Sequence, residues 1–168
     1  MRIDDLKQGF DTMRESFAEG WQRLRQSAAG AFTRFTPGEK SALPAASKID
    51  DAFYMPSQSW AMVGGDVFED ERRLVVRLEL PGMAKEDLDI EVQDDALVVR
   101  GEKRFESETT EGRYRVLQCA YGSFRRVVPL PVRVQGEQAS AQYKDGVLRV
   151  ELPKAQPGRP GRVTVPVR

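Results

Sequence analysis

The first 32 residues carry the pattern of an amphipathic helix. Apolar side chains recur there at steps of three or four residues, which is the period of one helical face. Gly9 and Gly20 interrupt the pattern, and each costs about 1 kcal/mol relative to alanine in a helix. An isolated helix of this kind is marginal in water, so its apolar stripe predicts a contact. The stripe comprises Ile3, Leu6, Phe10, Met13, Phe17, Trp21, Leu24 and Ala28.

The partner of this stripe stays open at the sequence level. It can pack against its own domain or other subunits, or it can be available to other proteins, and both hold in an exchanging assembly. A membrane surface is disfavoured because Asp11, Glu15 and Glu19 offset the basic side chains of the polar face.

Residues 33–65 have the composition of a linker. Proline follows Thr36, Leu43 and Met55, with serine and alanine between, and one short helix is predicted near residues 47–54. The segment also carries aromatic side chains that are costly to leave in water, so we expect them to contact something. These are Phe53, Tyr54 and Trp60.

From Asp66 onward the apolar period changes from helical spacing to two. Closely spaced strands without intervening helices indicate an all-β antiparallel sandwich. The polar stretch from Phe105 to Tyr114 is too long for a tight hairpin and is predicted to be an exposed loop. Asp145-Gly146 is one of the predicted turns. The predicted strands cover residues 74–80, 88–92, 96–102, 124–130, 139–143 and 147–152.

The last 14 residues, 155–168, are predicted to form a flexible tail. Val163, Val165 and Val167 fall on one side of an extended strand, and Pro166 lacks the N–H that a central strand needs. The end therefore suits docking along an exposed sheet edge, with a frayed terminus as the alternative. The chain divides into an arm and linker (1–65), a sandwich (66–154) and a tail (155–168).

Composition removes several kinds of chemistry. The chain has no histidine and one cysteine, which excludes imidazole catalysis, histidine metal sites and a cysteine zinc cluster. Cys119 is expected to be a packed strand thiol rather than a redox sensor. The 26 basic and 26 acidic residues balance, so bulk attraction to nucleic acid has no support. With neither a signal peptide nor a long apolar stretch, we expect a cytoplasmic protein without a membrane span.

Four ordered motifs give the sandwich a specific resemblance. They are Leu-Glu-Leu-Pro-Gly-Met-Ala-Lys-Glu-Asp-Leu at 78–88, Leu-Val-Val-Arg-Gly-Glu at 97–102, Tyr-Gly-Ser-Phe-Arg-Arg at 121–126 and Ala-Gln-Tyr-Lys-Asp-Gly-Val-Leu at 141–148. Together they resemble the α-crystallin domain of small heat shock proteins of the bacterial type. The resemblance implies an immunoglobulin-like β-sandwich with a helical N-terminal arm and a flexible C-terminal tail.

The activity implied by the resemblance is that of an ATP-independent chaperone, a holdase that binds unfolding client proteins and prevents their aggregation under stress. It implies homo-oligomers built from dimers, hand-off of clients to ATP-driven chaperones, and no cofactor, metal or catalytic residue. An apolar arm suits this role because unfolding clients expose apolar surface worth about 25 cal/mol per Å². The predicted client-binding residues are Phe10, Met13, Phe17, Trp21, Leu24 and Phe32.

The resemblance also assigns residues to assembly. A strand within the loop from Phe105 to Val116 would swap into a partner's sandwich, with Tyr114 in the interface. Arg126 would form a buried or interfacial ion pair, and an acidic partner is expected because an unpaired buried arginine costs several kcal/mol. The tail valines would dock in a neighbour's groove between residues 88–92 and 139–143, starting at either Val163 or Val165.

Two other functions fit the sequence less well. An enzyme is disfavoured, because carboxylate pairs such as Asp94-Asp95 lie in solvated turns where pKa values stay near normal. The alternative to a holdase is a co-chaperone-like β-sandwich that binds one specific protein, which would not need both an apolar arm and a valine tail.

Overall fold

The chain folds as a β-sandwich, as a computed structural model shows. The structure describes residues 30–55, 59–93, 95–108 and 111–158. The all-β prediction is confirmed; the predicted helical arm lies in residues 1–29, outside the described residues. The strands are β1 (Phe32–Phe35), β2 (Ser59–Met62), β3 (Gly65–Glu69), β4 (Arg73–Glu79), β5 (Leu88–Gln93), β6 (Ala96–Lys103), β7 (Gly122–Pro129), β8 (Ser140–Lys144) and β9 (Val147–Pro153). Short 3-10 helices cover Ala46–Lys48, Lys85–Asp87 and Gly136–Gln138.

Two antiparallel sheets face each other, and β1 pairs with β2 in a separate ribbon. One sheet has the order β3-β4-β9-β8 and the other has the order β5-β6-β7. Period-two alternation turns one side of each strand inward, so the core fills with leucine and valine from both sheets. Each of these fully buried side chains contributes about 1.5–3 kcal/mol relative to exposure. The largest are Leu74, Leu78, Leu97, Leu148 and Leu152.

The segment predicted as a linker contributes to this core. Phe35 in β1 is 4% exposed and packs against Phe124 with ring centroids 5.1 Å apart. Val63, just after β2, belongs to the same buried cluster. The helix predicted near residues 47–54 is represented only by the 3-10 turn Ala46–Lys48. The boundary at residue 66 stays a prediction, but the packed structure extends well before it.

Lys154 fixes the start of the tail. Its side chain is 4% exposed, and its Nζ donates to Glu69 Oε1 at 2.6 Å and to the Gly158 carbonyl at 2.7 Å. The Gly158 amide in turn donates to the Glu71 carbonyl at 2.8 Å. Residues 155–158, predicted to be part of a flexible tail, are therefore held against the β3–β4 turn. The remaining tail residues lie outside the described part of the chain.

We predict that Lys154→Met lowers the free energy of unfolding by about 3 kcal/mol, because breaking one side of a buried ion pair leaves the other charge uncompensated. The decrease falls at the low end of the usual range because Glu69 keeps some exposure. Urea unfolding followed by circular dichroism measures it. Lys154→Met combined with Glu69→Leu should recover most of the loss, and the exposed Lys144→Met is the control. A Lys154→Met midpoint equal to that of Lys144→Met would contradict the prediction.

Candidate binding surfaces

An apolar groove lies between the two sheets at one side of the sandwich. It runs between β5 and β8, each of which is an edge strand of its sheet as described, and it encloses about 1330 Å³. The alternation in β5 leaves every second side chain half-buried, and the segment between β7 and β8 completes the wall. The charged lining residues are the acidic Glu91, Asp95 and Glu137 and the basic Arg133, and Glu91 is already paired with Arg100 at 2.8 Å. The apolar lining comes from Ile90, Val92, Leu130, Val132, Val134, Ala139 and Ala141.

The β1–β2 ribbon presents a second apolar surface. Its inward side carries Phe35, so the alternate positions face outward. Phe32 pairs directly with Met62, and Arg34 pairs with Trp60, which places these side chains on one face. Phe32 is 53% exposed, Trp60 56% and Met62 60%. We call Phe32, Trp60 and Met62 the ribbon face.

A cleft continues from the ribbon face past Trp60. The cleft has a volume of about 400 Å³ and lies between residues 51–55 and residues 116–119. Phe53 is 92% exposed, and Met55 and Val116 are exposed as well. Burial raises the pKa of Tyr54, which lines the same cleft. The aromatic residues singled out by the sequence thus gather around one opening, and the prediction that they contact something stays a prediction.

Two aspartates hold the walls of this cleft together. The Asp51 carboxylate accepts the Leu117 amide at 2.9 Å and the Phe53 amide at 3.0 Å. Asp50 forms ion pairs with Arg113 and Arg115, and its amide donates to the Tyr114 carbonyl at 2.8 Å. The loop after β6 is therefore held by a segment about 65 positions earlier in the sequence.

The predicted dimer residues lie in different surroundings within the single chain. Phe105 is buried, with its ring edge-on to Tyr114 at 5.2 Å and to Tyr121 at 5.1 Å. The structure therefore brings Phe105 and Tyr114 together, whereas Val116 faces the cleft. Their role between subunits stays a prediction.

Arg126 lies apart, beside Gly30. Its Nε is buried and has no hydrogen-bond partner among the described residues, and burial lowers the pKa of the guanidinium. Among the described residues, no acidic side chain lies within ion-pair distance of the Arg126 guanidinium. Arg125, the residue before it in β7, is exposed, as the alternation predicts.

Cys119 corrects one expectation. It is exposed and lies in the loop before β7, not packed in a strand. β7 begins only at Gly122, so Cys119 lies in the loop before the strand, where its neighbour Ala120 is buried and Cys119 itself points to solvent. Burial, with a smaller effect of the nearby Cys119, raises the pKa of Tyr121.

The other predicted site residues lie outside the described residues, namely Phe10, Met13, Phe17, Trp21 and Leu24 of the arm and Val163, Val165 and Val167 of the tail. Of the predicted client-binding set, only Phe32 is described. Sequence reasoning missed Met62 as its neighbour. The spacing of two between Trp60 and Met62 is the signal that could have placed both on one face of a strand.

Two kinds of site are not found in the described part of the chain. It holds no group of three or more aspartate, glutamate or cysteine side chains placed to bind a metal. None of its helices is long and apolar enough to cross a membrane.

Comparisons with known proteins identify the class of this sandwich. A model described as the Hsp20/alpha crystallin family matches residues 66–168, which is more than half of the chain. The chain therefore belongs to the Hsp20/alpha crystallin family, a family of chaperones associated with the stress response. The match begins after β2, so the ribbon face lies outside it.

Individual relatives agree with the family assignment. Small heat shock protein C2 of Rickettsia felis is 29% identical over 100 residues, covering 60% of this chain and 65% of that protein. Heat shock protein 16 of Schizosaccharomyces pombe is 33% identical over 93 residues, covering 54% of this chain and 65% of that protein. The chain thus spans just under two thirds of the length of these curated relatives.

Solved structures show the same fold. Heat shock protein 16.0 from Schizosaccharomyces pombe has a TM-score of 0.54 at 30% identity, with 63% of this chain and 97% of that chain covered. A small heat-shock protein from Xylella fastidiosa, described as having a distinct high order structure, has a TM-score of 0.50 at 26% identity, with 64% and 98% covered.

We predict that the structure around the cleft loses stability at acidic pH, when the Asp51 carboxylate becomes protonated. Hydrogen bonds from the Leu117 and Phe53 amides lower the pKa of its carboxyl group from 3.8, so the ionised form stabilises the fold. This contribution is complete above pH 3.8 and is lost as the pH falls through the lowered folded-state value. Trp60 fluorescence, recorded in a Trp21→Phe background, should report the opening of the cleft. Asp51→Asn should remove this pH-dependent change in fluorescence, and the control Asp66→Asn should retain it. An unchanged pH dependence in Asp51→Asn would contradict the assignment.

Proposed function

We propose that the protein is an ATP-independent holdase that binds unfolding proteins and keeps them from aggregating. The observation that carries the proposal is the exposed apolar surface of the ribbon face and the adjoining cleft, next to the predicted client-binding arm. Aromatic and methionine side chains adapt to many partner shapes, which suits clients that share no sequence. Family membership supports a chaperone role in general.

The size of these surfaces favours weak and reversible capture. Covering about 300 Å² of apolar surface returns about 7–8 kcal/mol before any cost. Association of two proteins costs about 4–15 kcal/mol, so one surface alone leaves little net affinity. Several copies in one assembly would bind the same client more tightly through effective concentration. The proposal therefore includes homo-oligomers.

The dimer would form by exchange of the loop from Phe105 to Val116. In this arrangement the loop would join the free edge of a partner's β3, where Val67 and Phe68 are exposed. β3 pairs only with β4 among the described strands, so its outer edge has room for another strand. The interface would also supply an acidic group to Arg126, for which the described residues offer none.

The tail would dock in the groove between β5 and β8 of a neighbouring subunit. Two valines at alternate positions fit the apolar lining, and Arg162 beside them would meet the acidic residues of the lining. Gly158 is anchored, so Val163 lies at most about 18 Å from it along an extended chain. Both registers, Val163 with Val165 and Val165 with Val167, fit this chemistry.

The remaining parts of the proposal concern what the protein does not need. Holding a client requires no catalytic residue, cofactor or nucleic acid, and hand-off to ATP-driven chaperones would complete the cycle. We propose a cytoplasmic location, where unfolding clients and such chaperones meet.

Light scattering tests the holdase directly. A heat-labile enzyme is warmed in nucleotide-free buffer with equimolar full-length protein, and scattering should be strongly suppressed. The arm is removed by deleting residues 1–29, because a longer deletion would remove Phe35 and Val63 from the core. This deletion should weaken protection. The double substitution Phe32→Ser and Trp60→Ser should weaken protection of the enzyme further. Arg34→Ser, on the same ribbon, is the control. A folded wild-type protein that leaves scattering unchanged would overturn the holdase and favour a module for one specific partner.

Tail docking is tested with a labelled peptide of residues 159–168. Titrated with protein truncated after Gly158, the peptide should bind, and Val163→Ala with Val165→Ala should weaken it at least about tenfold, or about 1.4 kcal/mol. Val92→Asp in the groove should abolish binding, because it places a charge among apolar side chains. Gln142→Asp lies on the exposed side of β8 and is the control. Equal binding by the Val92→Asp and Gln142→Asp proteins would place the tail elsewhere.

A further inference from the structure

We propose that the ribbon face is covered by the apolar stripe of residues 3–28 of the same chain. This face lies outside the region matched by the family model, so the family does not assign it a partner. Three exposed apolar side chains on one side of a two-stranded ribbon are more than scattered surface residues, and they call for an occupant.

The connection of the chain favours its own N-terminal segment as that occupant. The segment joins the described structure at Gly30, and a turn at residues 30–31 leads into β1. The Val63 amide donates to the Ala31 carbonyl at 2.8 Å, which fixes this entry point beside the end of β2. Phe32 and Met62 form the first cross-strand pair after it. A segment that turns back at Gly30 therefore starts at the edge of the ribbon face.

The dimensions of the two surfaces agree. In a helix with a rise of 1.5 Å per residue, Leu24 and Trp21 would lie about 8 and 12 Å from residue 29. A four-residue strand such as β1 is about 13 Å long, so both positions would fall within the length of the ribbon face. Phe17, one further turn along, would reach the cleft beside Trp60. The stripe and the face are both rich in aromatic and methionine side chains, which pack irregular surfaces well.

Arg126 adds an independent observation at the entry point. The terminal nitrogens of its guanidinium lie 3.7 and 4.0 Å from the position that a Cβ on Gly30 would occupy. A helix ending just before Gly30 would present its last carbonyl groups there, and these carry partial negative charge and lack partners within the helix. Arginine side chains commonly bind the last carbonyl groups of a helix. Arg126 is therefore placed to receive the end of this helix.

The contact would compete with clients, a consequence that rests on the proposed function. A client reaching Phe32 and Trp60 would have to displace the stripe, and displacement would at the same time free the stripe to bind. The covering contact itself requires no client, so it stands or falls separately from the holdase.

Cys119 allows a direct test in the full-length protein. It is exposed and lines the cleft with Trp60, so a short bismaleimide can link it to a second thiol that comes close. Phe17→Cys and Trp21→Cys place that thiol at the stripe positions nearest the cleft, whereas Glu19→Cys, between them in sequence, places it on the opposite helical face. Because a covered face holds the stripe at high effective concentration, linked monomer should form about tenfold faster with a stripe thiol than with the control.

The outcomes separate the alternatives. Linked monomer on a denaturing gel supports cover by the same chain, whereas linked dimer alone would show that the stripe covers another copy and would overturn the proposal. Equal yields for stripe and control positions would also overturn it. Acrylamide quenching of Trp60, measured in Trp21→Phe, gives a second readout: deletion of residues 1–29 should raise quenching, and unchanged quenching would contradict the cover. Neither readout involves a client, so failure of the holdase assay would leave this result intact.

Discussion

The backbone pair between Thr36 and Ser123 determines how the N-terminal ribbon meets the sandwich. The two residues exchange hydrogen bonds of 2.9 and 2.7 Å, and Gly122, with φ of +113°, permits the approach because a Cβ there would collide with the Thr36 carbonyl. This pair carries Phe35 into the core against Phe124. Since successive side chains of a strand point to opposite faces, burying Phe35 obliges Phe32 and its cross-strand neighbour Met62 to face outward. The exposed apolar surface is thus a direct consequence of the way the ribbon is attached.

The parts of the fold that sequence predicts well are those where one strand carries its own signal. β9 alternates over its seven residues and β4 does so apart from the buried Val75, because a sandwich interior imposes that period on each strand separately. β1 and β2 have four residues each, too few to establish a period, and Phe35 is buried in a cluster whose members, such as Phe124, are distant in sequence. The pairing of Phe32 with Met62 depends on register across a long connection, which no local pattern encodes. The hydrogen bond from the Leu117 amide to the Asp51 carboxylate is also non-local, since the two residues are 66 positions apart.

In the proposed assembly, three apolar surfaces of the sandwich would each receive a segment of the chain. The groove between β5 and β8 would take the valine tail, the outer edge of β3 would take the loop after β6, and the ribbon face would take the apolar stripe. Each of these contacts would bury only a few side chains, so each would be weak enough to open and close. An assembly held by many such contacts can exchange subunits without unfolding the sandwich, because the buried leucines of β4, β6 and β9 take no part in them.

The loop after β6 connects two of these surfaces. Val116 forms part of the cleft beside Trp60, while Leu117 and Tyr114 are held by Asp51 and Asp50. If the loop passes to a partner's β3, those contacts must break, and the cleft loses one wall in the donor chain. Dimer formation and the shape of the client surface are then linked, and by reciprocity a ligand that prefers the open cleft favours the exchanged loop. In the proposed exchange the hydrogen bonds of Asp51 and, to a smaller extent, the exposed ion pairs of Asp50 would oppose release of the loop, and no strand pattern singles out either carboxylate.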